Sequence, residues 1–119
     1  MRTSWLNFHL ETAPDRDAVR VSPVGEVDLA TVGEIRKELR QLKEVGFMRL
    51  VLDLRRTTFL DSTGLHLILE ECDTARADGA QFAMVAGPPE VQRVFELTGL
   101  RGQLPFSDVA ELASGAAWA

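Results

Sequence analysis

The sequence predicts an α/β protein built on a largely parallel sheet, and three observations carry the prediction. Leu50-Val51-Leu52-Asp53-Leu54 and Gln81-Phe82-Ala83-Met84-Val85-Ala86 are near-continuous apolar runs, the pattern of strands covered on both faces. Three stretches with helical spacing lie before, between and after these runs. Strands that alternate with helices of this length argue for a parallel sheet with helices packed on it.

The elements follow in order. Phe8-His9-Leu10-Glu11-Thr12 alternates weakly, and Ala13-Pro14-Asp15-Arg16-Asp17 reads as a turn. Ala18-Val19-Arg20-Val21-Ser22 alternates as a half-buried strand does. Pro23 cannot donate to a ladder, so that strand is expected to be bulged or partly at an edge there. Thr31-Val32-Gly33-Glu34 is a capping-box pattern, and Val32, Ile35, Leu39 and Leu42 follow at helical spacing until Gly46. After the 50–54 strand, Arg55-Arg56-Thr57-Thr58 reads as a polar loop before Phe59-Leu60.

Asp61-Ser62-Thr63-Gly64 opens a second helix carrying Leu65, Ile68, Leu69, Cys72 and Ala75, which ends near Asp78-Gly79. Gly87-Pro88-Pro89-Glu90 starts a third, since proline is tolerated in a first helical turn. Its buried side is assigned to Val91, Val94, Phe95 and Leu97. Gly99 is placed at its Schellman-type end, with Leu100 against Phe95. Leu104-Pro105-Phe106 reads as a short last strand and Val109–Ala113 as a terminal helical turn. One domain is expected over residues 1–119, with its core at about 8–112 and a loose tail at 113–119.

Composition excludes several classes. The net charge is −5, and Arg55-Arg56 is the only pair of adjacent arginines, which argues against DNA or RNA as a partner. A single cysteine, Cys72, allows no internal disulfide, as in a reducing compartment. The N-terminal residues lack the apolar region of a signal peptide, and no run is long enough to span a membrane. The expectation is a cytoplasmic protein without membrane insertion.

The chemistry of catalysis is hard to find. Glycine-rich phosphate cradles, a Cys/His metal cluster and a nucleophile elbow are absent from the sequence, so no cofactor or metal is expected. Asp61, Ser62 and His66 are the residue types of a hydrolase triad. Asp61 precedes the serine on the same turn, however, and is badly placed to orient the far side of His66.

The informative segment is Asp61-Ser62-Thr63-Gly64-Leu65, a strand-to-helix junction at the expected C-terminal edge of the sheet. Asp and Ser there read as helix caps. The same position would leave Ser62 as an exposed hydroxyl at a positive helix end, where a phosphate would meet free backbone N–H groups.

Leu52-Asp53-Leu54 followed by Thr58-Phe59-Leu60-Asp61-Ser62-Thr63-Gly64-Leu65 resembles the signature of the STAS domain family. Gly25-Glu26-Val27-Asp28 resembles the loop before that family's first helix, and Val94–Leu100 resembles its third-helix ending. The resemblance runs from about Phe8 to Leu112. It implies a sheet of about five strands with helices mainly on one face.

The resemblance also implies a function of the anti-sigma factor antagonist type. The unmodified protein would bind an anti-sigma factor, itself a serine kinase, and so release a sigma factor. Phosphorylation of Ser62 would end that binding, and a PP2C-type phosphatase would restore it. Asp28, Arg55, Arg56, Asp61, Thr63, Gly64 and Leu65 would form the partner-binding surface. The alternative is a STAS accessory subunit of a membrane lipid or solute transporter, binding its ATPase subunit. Arg55, Arg56 and Thr57 depart from the family pattern. The arginines are read either as a solvated loop or as a pair that meets acidic partner groups or holds a phosphate on Ser62.

Overall fold

The computed structural model of the protein describes residues 4–118. β1 (His9–Asp15) and β2 (Ala18–Val27) form an antiparallel hairpin, paired from His9 with Val24 to Asp15 with Ala18. β1 is therefore longer than its weak alternation predicts, and the turn is tighter, closing at Arg16 with φ 61°. Pro14 is accommodated because β1 is the outer strand.

The sheet runs β1-β2-β3-β5, with β3 at Arg49–Asp53 and β5 at Gln81–Val85. β2 pairs in parallel with β3 over Ala18–Val21, and then in parallel with β4 (Thr57–Leu60) over Gly25–Val27. Pro23 lies in the gap between these two parallel ladders, where its missing N–H breaks neither. The irregularity expected near it occurs between Gly25 and Glu26.

β4 was not legible as a strand from Thr57 onward. Thr57 is fully buried and donates its hydroxyl to the Pro23 carbonyl at 3.0 Å. A polar residue at a core position is thus satisfied by its neighbouring strand. Only Arg55-Arg56 forms the turn, closed by Thr57 N–H to the Leu54 carbonyl at 3.0 Å.

The core lies on one face of the sheet. Val19 and Val21 of β2, Leu50 and Leu52 of β3, and Met84 of β5 pack with residues of three helices. These are α1 (Val32–Glu44), α2 (Ser62–Asp78) and α3 (Pro89–Leu97). α1 buries Val32, Ile35 and Leu39, with Leu42 half-buried. Its expected capping box does not form. Thr31 has near-helical torsions, and its buried hydroxyl donates to Glu26 O at 2.8 Å and accepts from Asp28 N at 3.0 Å. That hydroxyl fastens the turn beneath the helix, so it is not offered to Glu34.

α2 ends as its sequence predicts, with Gly79 in the left-handed region at φ 70°. α3 closes with Leu100 N–H on the Phe95 carbonyl at 2.9 Å and Gly99 N–H on Glu96 O at 3.2 Å, a Schellman pair. Leu97 is 77% exposed, contrary to its assignment to the buried side. At about 100° per residue it falls across the helix from fully buried Phe95.

Phe106 makes a parallel bridge to Met84, and its ring meets Phe95 edge-on at 5.2 Å. The C-terminal segment carries further elements. α4 (Val109–Ser114) carries a capping box between Asp108 and Glu111, and a 3₁₀ turn follows at Ala116–Trp118. The Arg49 guanidinium lies 5.7 Å from the Trp118 ring centroid, and Gln81 donates to the Trp118 carbonyl at 3.2 Å. These contacts hold the tail against the sheet. Ala119 lies outside the described residues.

Candidate functional site

The site is built where β2 and β4 deliver their C-terminal ends to the first turns of α1 and α2. Asp61 N–H bonds the Val27 carbonyl at 3.2 Å, which sets the start of α2 beside the Asp28–Thr31 turn. Asp61 is the N-cap of α2, with extended torsions. Its Oδ1 accepts from Thr63 N–H at 2.9 Å and from Gly64 N–H at 3.1 Å. Ser62 is the first helical residue and is exposed.

Gly64 allows α2 to sit this close to the sheet. A Cβ on it would lie 2.5 Å from Leu60 Cδ1 and 2.8 Å from Val27 Cγ1. Leu65 is also turned into the core, at 7% exposure. Both were expected at the partner surface. Their side of the helix is instead spent on packing, so they position Ser62 without offering contact area.

Asp28 is buried as well. Its Oδ1 accepts from Ala30 N–H at 3.0 Å, and its backbone carbonyl accepts from Thr31 and Val32 N–H. It shapes the turn before α1. Within that turn Leu29 is 79% exposed, an apolar side chain held in solvent beside the start of α2. Sequence reasoning passed over it; its signal was a leucine between the strand and the helix that fits neither periodicity.

The arginine pair does not share this site's hydrogen bonds. Arg55 donates Nε and Nη2 to the Asp53 carboxylate, with Nη2 at 2.7 Å from Oδ2. Arg56 Nη1 reaches both Glu11 oxygens, at 2.8 and 2.7 Å. The two guanidinium groups leave one tight turn for different strands. Burial pushes the Asp53 carboxyl up, but the hydrogen bonds from Arg55 outweigh it and hold its pKa below the ordinary 3.8. Hydrogen bonds from His9 and Arg56 lower the exposed Glu11 carboxyl.

Ser62 is thus an exposed hydroxyl at a helix start, next to a carboxylate engaged by the backbone and outside the core. The free N–H groups expected to greet that phosphate are different from the expectation: Asp61 already holds those of Thr63 and Gly64. Asp61 turns Oδ1 to the backbone of its own first turn, and His66 is an exposed residue of α2. Among the described residues, no group of three metal-binding side chains converges, and no helix is long and apolar enough to cross a membrane.

A family model described as the STAS domain matches residues 9–113. The chain belongs to the STAS domain family. Its curated STAS relatives include the anti-sigma-B factor antagonist of Staphylococcus aureus (strain NCTC 8325 / PS 47). That protein is 24% identical over 107 residues, covering 90% of this chain and 99% of the relative. Among solved structures, the anti-sigma factor antagonist from Mycobacterium paratuberculosis has a TM-score of 0.76 at 23% identity, covering 94% of this chain and 95% of that one. The Bacillus cell fate determinant SpoIIAA in its phosphorylated form has a TM-score of 0.67 at 24% identity, covering 92% and 98%. These structures share the STAS fold seen here: a mixed, mostly parallel five-stranded sheet with its main helices on one face.

Proposed function

We propose that this STAS chain is an anti-sigma factor antagonist controlled at Ser62. The unmodified form binds an anti-sigma factor in the cytoplasm and so frees a sigma factor. The anti-sigma factor is a serine kinase; it phosphorylates Ser62 and thereby ends the complex. A PP2C-type phosphatase resets the switch. The chain is substrate and ligand in this cycle, with the chemistry supplied by its partners.

The observation that carries the proposal is the setting of Ser62. It is exposed as the first residue of α2, directly after the capping Asp61, in a chain that matches an antagonist over 99% of that relative's length. The docking surface is taken to comprise Ser62, half-buried Asp61 and Thr63, and Leu29. Arg55 and Arg56, with their own carboxylate partners, fall outside it.

The test is phosphorylation by the cognate anti-sigma kinase with ATP and magnesium, read by peptide mass spectrometry. The phosphate is expected on Ser62 and absent in Ser62→Ala. Phosphate mainly on Thr63, or undiminished labelling of Ser62→Ala, would sink the assignment. Co-purification of the unmodified protein with a transporter ATPase in place of a kinase would replace the proposal with the accessory-subunit reading.

A further inference from the structure

The sheet has a second face that α1, α2 and α3 do not cover. Side chains alternate along β3, so Leu50 and Leu52 enter the helix-side core while Val51 and Asp53 point to the other side. α4 and the terminal turn cross that second face and leave a cavity of about 160 Å³ beneath them. Val51 and Val85 lie at its floor, and Leu112 and Trp118 form a wall.

Four arginines also line this small space, Arg16, Arg20, Arg49 and Arg55, in a chain whose net charge is −5. Carboxylates engage them only in part. Asp53, at 4% exposure, takes Nε and Nη2 of Arg55 and leaves its Nη1 to other partners. Arg20 Nε stands 3.9 Å from Asp53, too far for a hydrogen bond. Arg49 gives Nη1 to Asp17 at 3.0 Å and lies over the Trp118 ring. Arg16 stands at the hairpin turn beside Asp15 and Asp17, which also line the cavity. Four guanidinium groups against Asp15, Asp17 and Asp53 leave a local surplus of positive charge that suits one negative charge on a ligand.

We infer that this cavity binds a small amphipathic carboxylate, a single anionic group on a compact apolar or one-ring body. A guanidinium fork matches the two oxygens of a carboxylate. An apolar space of about 150 Å³ takes one benzene-sized body. The Trp118 side chain, which lines the cavity, offers apolar contact to such a body. Arg55, a departure from the family pattern with no part in the Ser62 site, has a role here: it lines the cavity while Asp53 holds its Nε and Nη2. The site lies across the sheet from α2, so it stands whether or not the switch proposal does.

The test is a nuclear magnetic resonance titration of the full chain with benzoate and with 3-phenylpropionate. Benzyl alcohol serves as the uncharged probe and inorganic phosphate as the bare anion. The carboxylates are expected to shift the amide signals of Val51, Val85 and Leu112 and the Trp118 indole signal. Saturation should come at about millimolar concentration or below, as expected for so few ligand atoms. Signals of Asp61 to Leu65 should stay in place. Benzyl alcohol and phosphate should bind at least tenfold more weakly. Arg16→Gly, which keeps a residue at ease with positive φ, and Trp118→Ala should each weaken carboxylate binding at least fivefold. No saturating shift up to about 10 mM would overturn the inference. So would an equal response to benzyl alcohol or to phosphate, or unchanged affinity in either variant.

Discussion

Asp61 Oδ1 holds the Gly64 N–H at 3.1 Å while the bare Cα of Gly64 rests against Leu60 and Val27, so the residue that caps α2 also draws its first turn onto the sheet. Ser62 stands between the two, exposed in front of buried Gly64 and Leu65. A phosphate there would sit at the surface, and the fold is expected to survive it.

The cap and the phosphate compete, and the competition is measurable. Asp61→Ala removes the acceptor for Thr63 and Gly64 and should cost about 1 kcal/mol, while Asp61→Asn should cost a few tenths. Phosphate on Ser62 gains roughly 0.3–1 kcal/mol from the helix end. It loses a similar amount, on the order of 1 kcal/mol, to the neighbouring Asp61 charge in water-like surroundings. Phosphorylated and unmodified parent should therefore melt within a few degrees of each other. In Asp61→Asn, phosphorylation should raise the melting temperature, because the repulsion is gone. A phosphate effect identical in both backgrounds would show that Asp61 does not sense the phosphate. A large drop in the parent would point to a conformational switch.

Two glycine substitutions should have opposite signs. Gly64→Ala places a methyl 2.5 Å from Leu60 Cδ1 and 2.8 Å from β-branched Val27, in the core. Overpacking of this kind costs about 1–3 kcal/mol, against about 1 kcal/mol gained from helix propensity, so net destabilisation is expected. Gly33→Ala meets nothing within 4 Å in the first turn of α1 and should stabilise by about 0.5–1 kcal/mol. Urea denaturation of the two variants decides the matter, and a stabilised Gly64→Ala would mean that Leu60 moves aside freely.

Asp53 makes stability depend on acid. Its folded pKa lies below 3.8, because Arg55 outweighs the effect of burial. The stability it contributes is therefore fully present above the unfolded value and is lost as pH falls through the folded one. Asp53→Asn should be less stable than the parent by about 1–3 kcal/mol at neutral pH, towards the low end because the Arg55 side chain is 48% exposed and screened. Below about pH 4 that gap should narrow as the parent carboxylate takes up its proton. Melting curves from pH 7 to pH 2 test this, and a gap of constant size would remove the ion pair as its cause.

Leu29 should matter to the partner and not to the fold. It is 79% exposed beside the start of α2, and an apolar side chain in such a place gains free energy when a partner covers it. Leu29→Asp should weaken binding of the anti-sigma factor at least tenfold while leaving the melting temperature within about 2 °C. Calorimetry showing parent-like affinity would exclude Leu29 from the docking surface.

The sequence by itself determined the elements whose signals are local. The apolar runs of β3 and β5, the stop of α2 at Gly79 and the Schellman end of α3 at Gly99 and Leu100 are set by residues a few positions apart, and they were legible on that scale. The Asp61 cap and exposed Ser62 belong to the same class, since the first turn of a helix defines both. Tertiary structure decided which group each polar side chain meets. Thr57 reads as loop until Pro23 supplies an acceptor from another strand. Thr31 reads as a cap until Glu26 and Asp28 claim its hydroxyl. Arg55 and Arg56 read as one pair until Asp53 and Glu11 draw them apart, and the terminal residues read as loose until Arg49 and Gln81 meet Trp118. A polar or charged side chain takes its role from whichever group satisfies it; for Thr57 and Arg56 that group lies on another strand, and for Thr31 and Arg55 it lies a few residues back, brought into reach only by the folded turn, so spacing alone could not assign them.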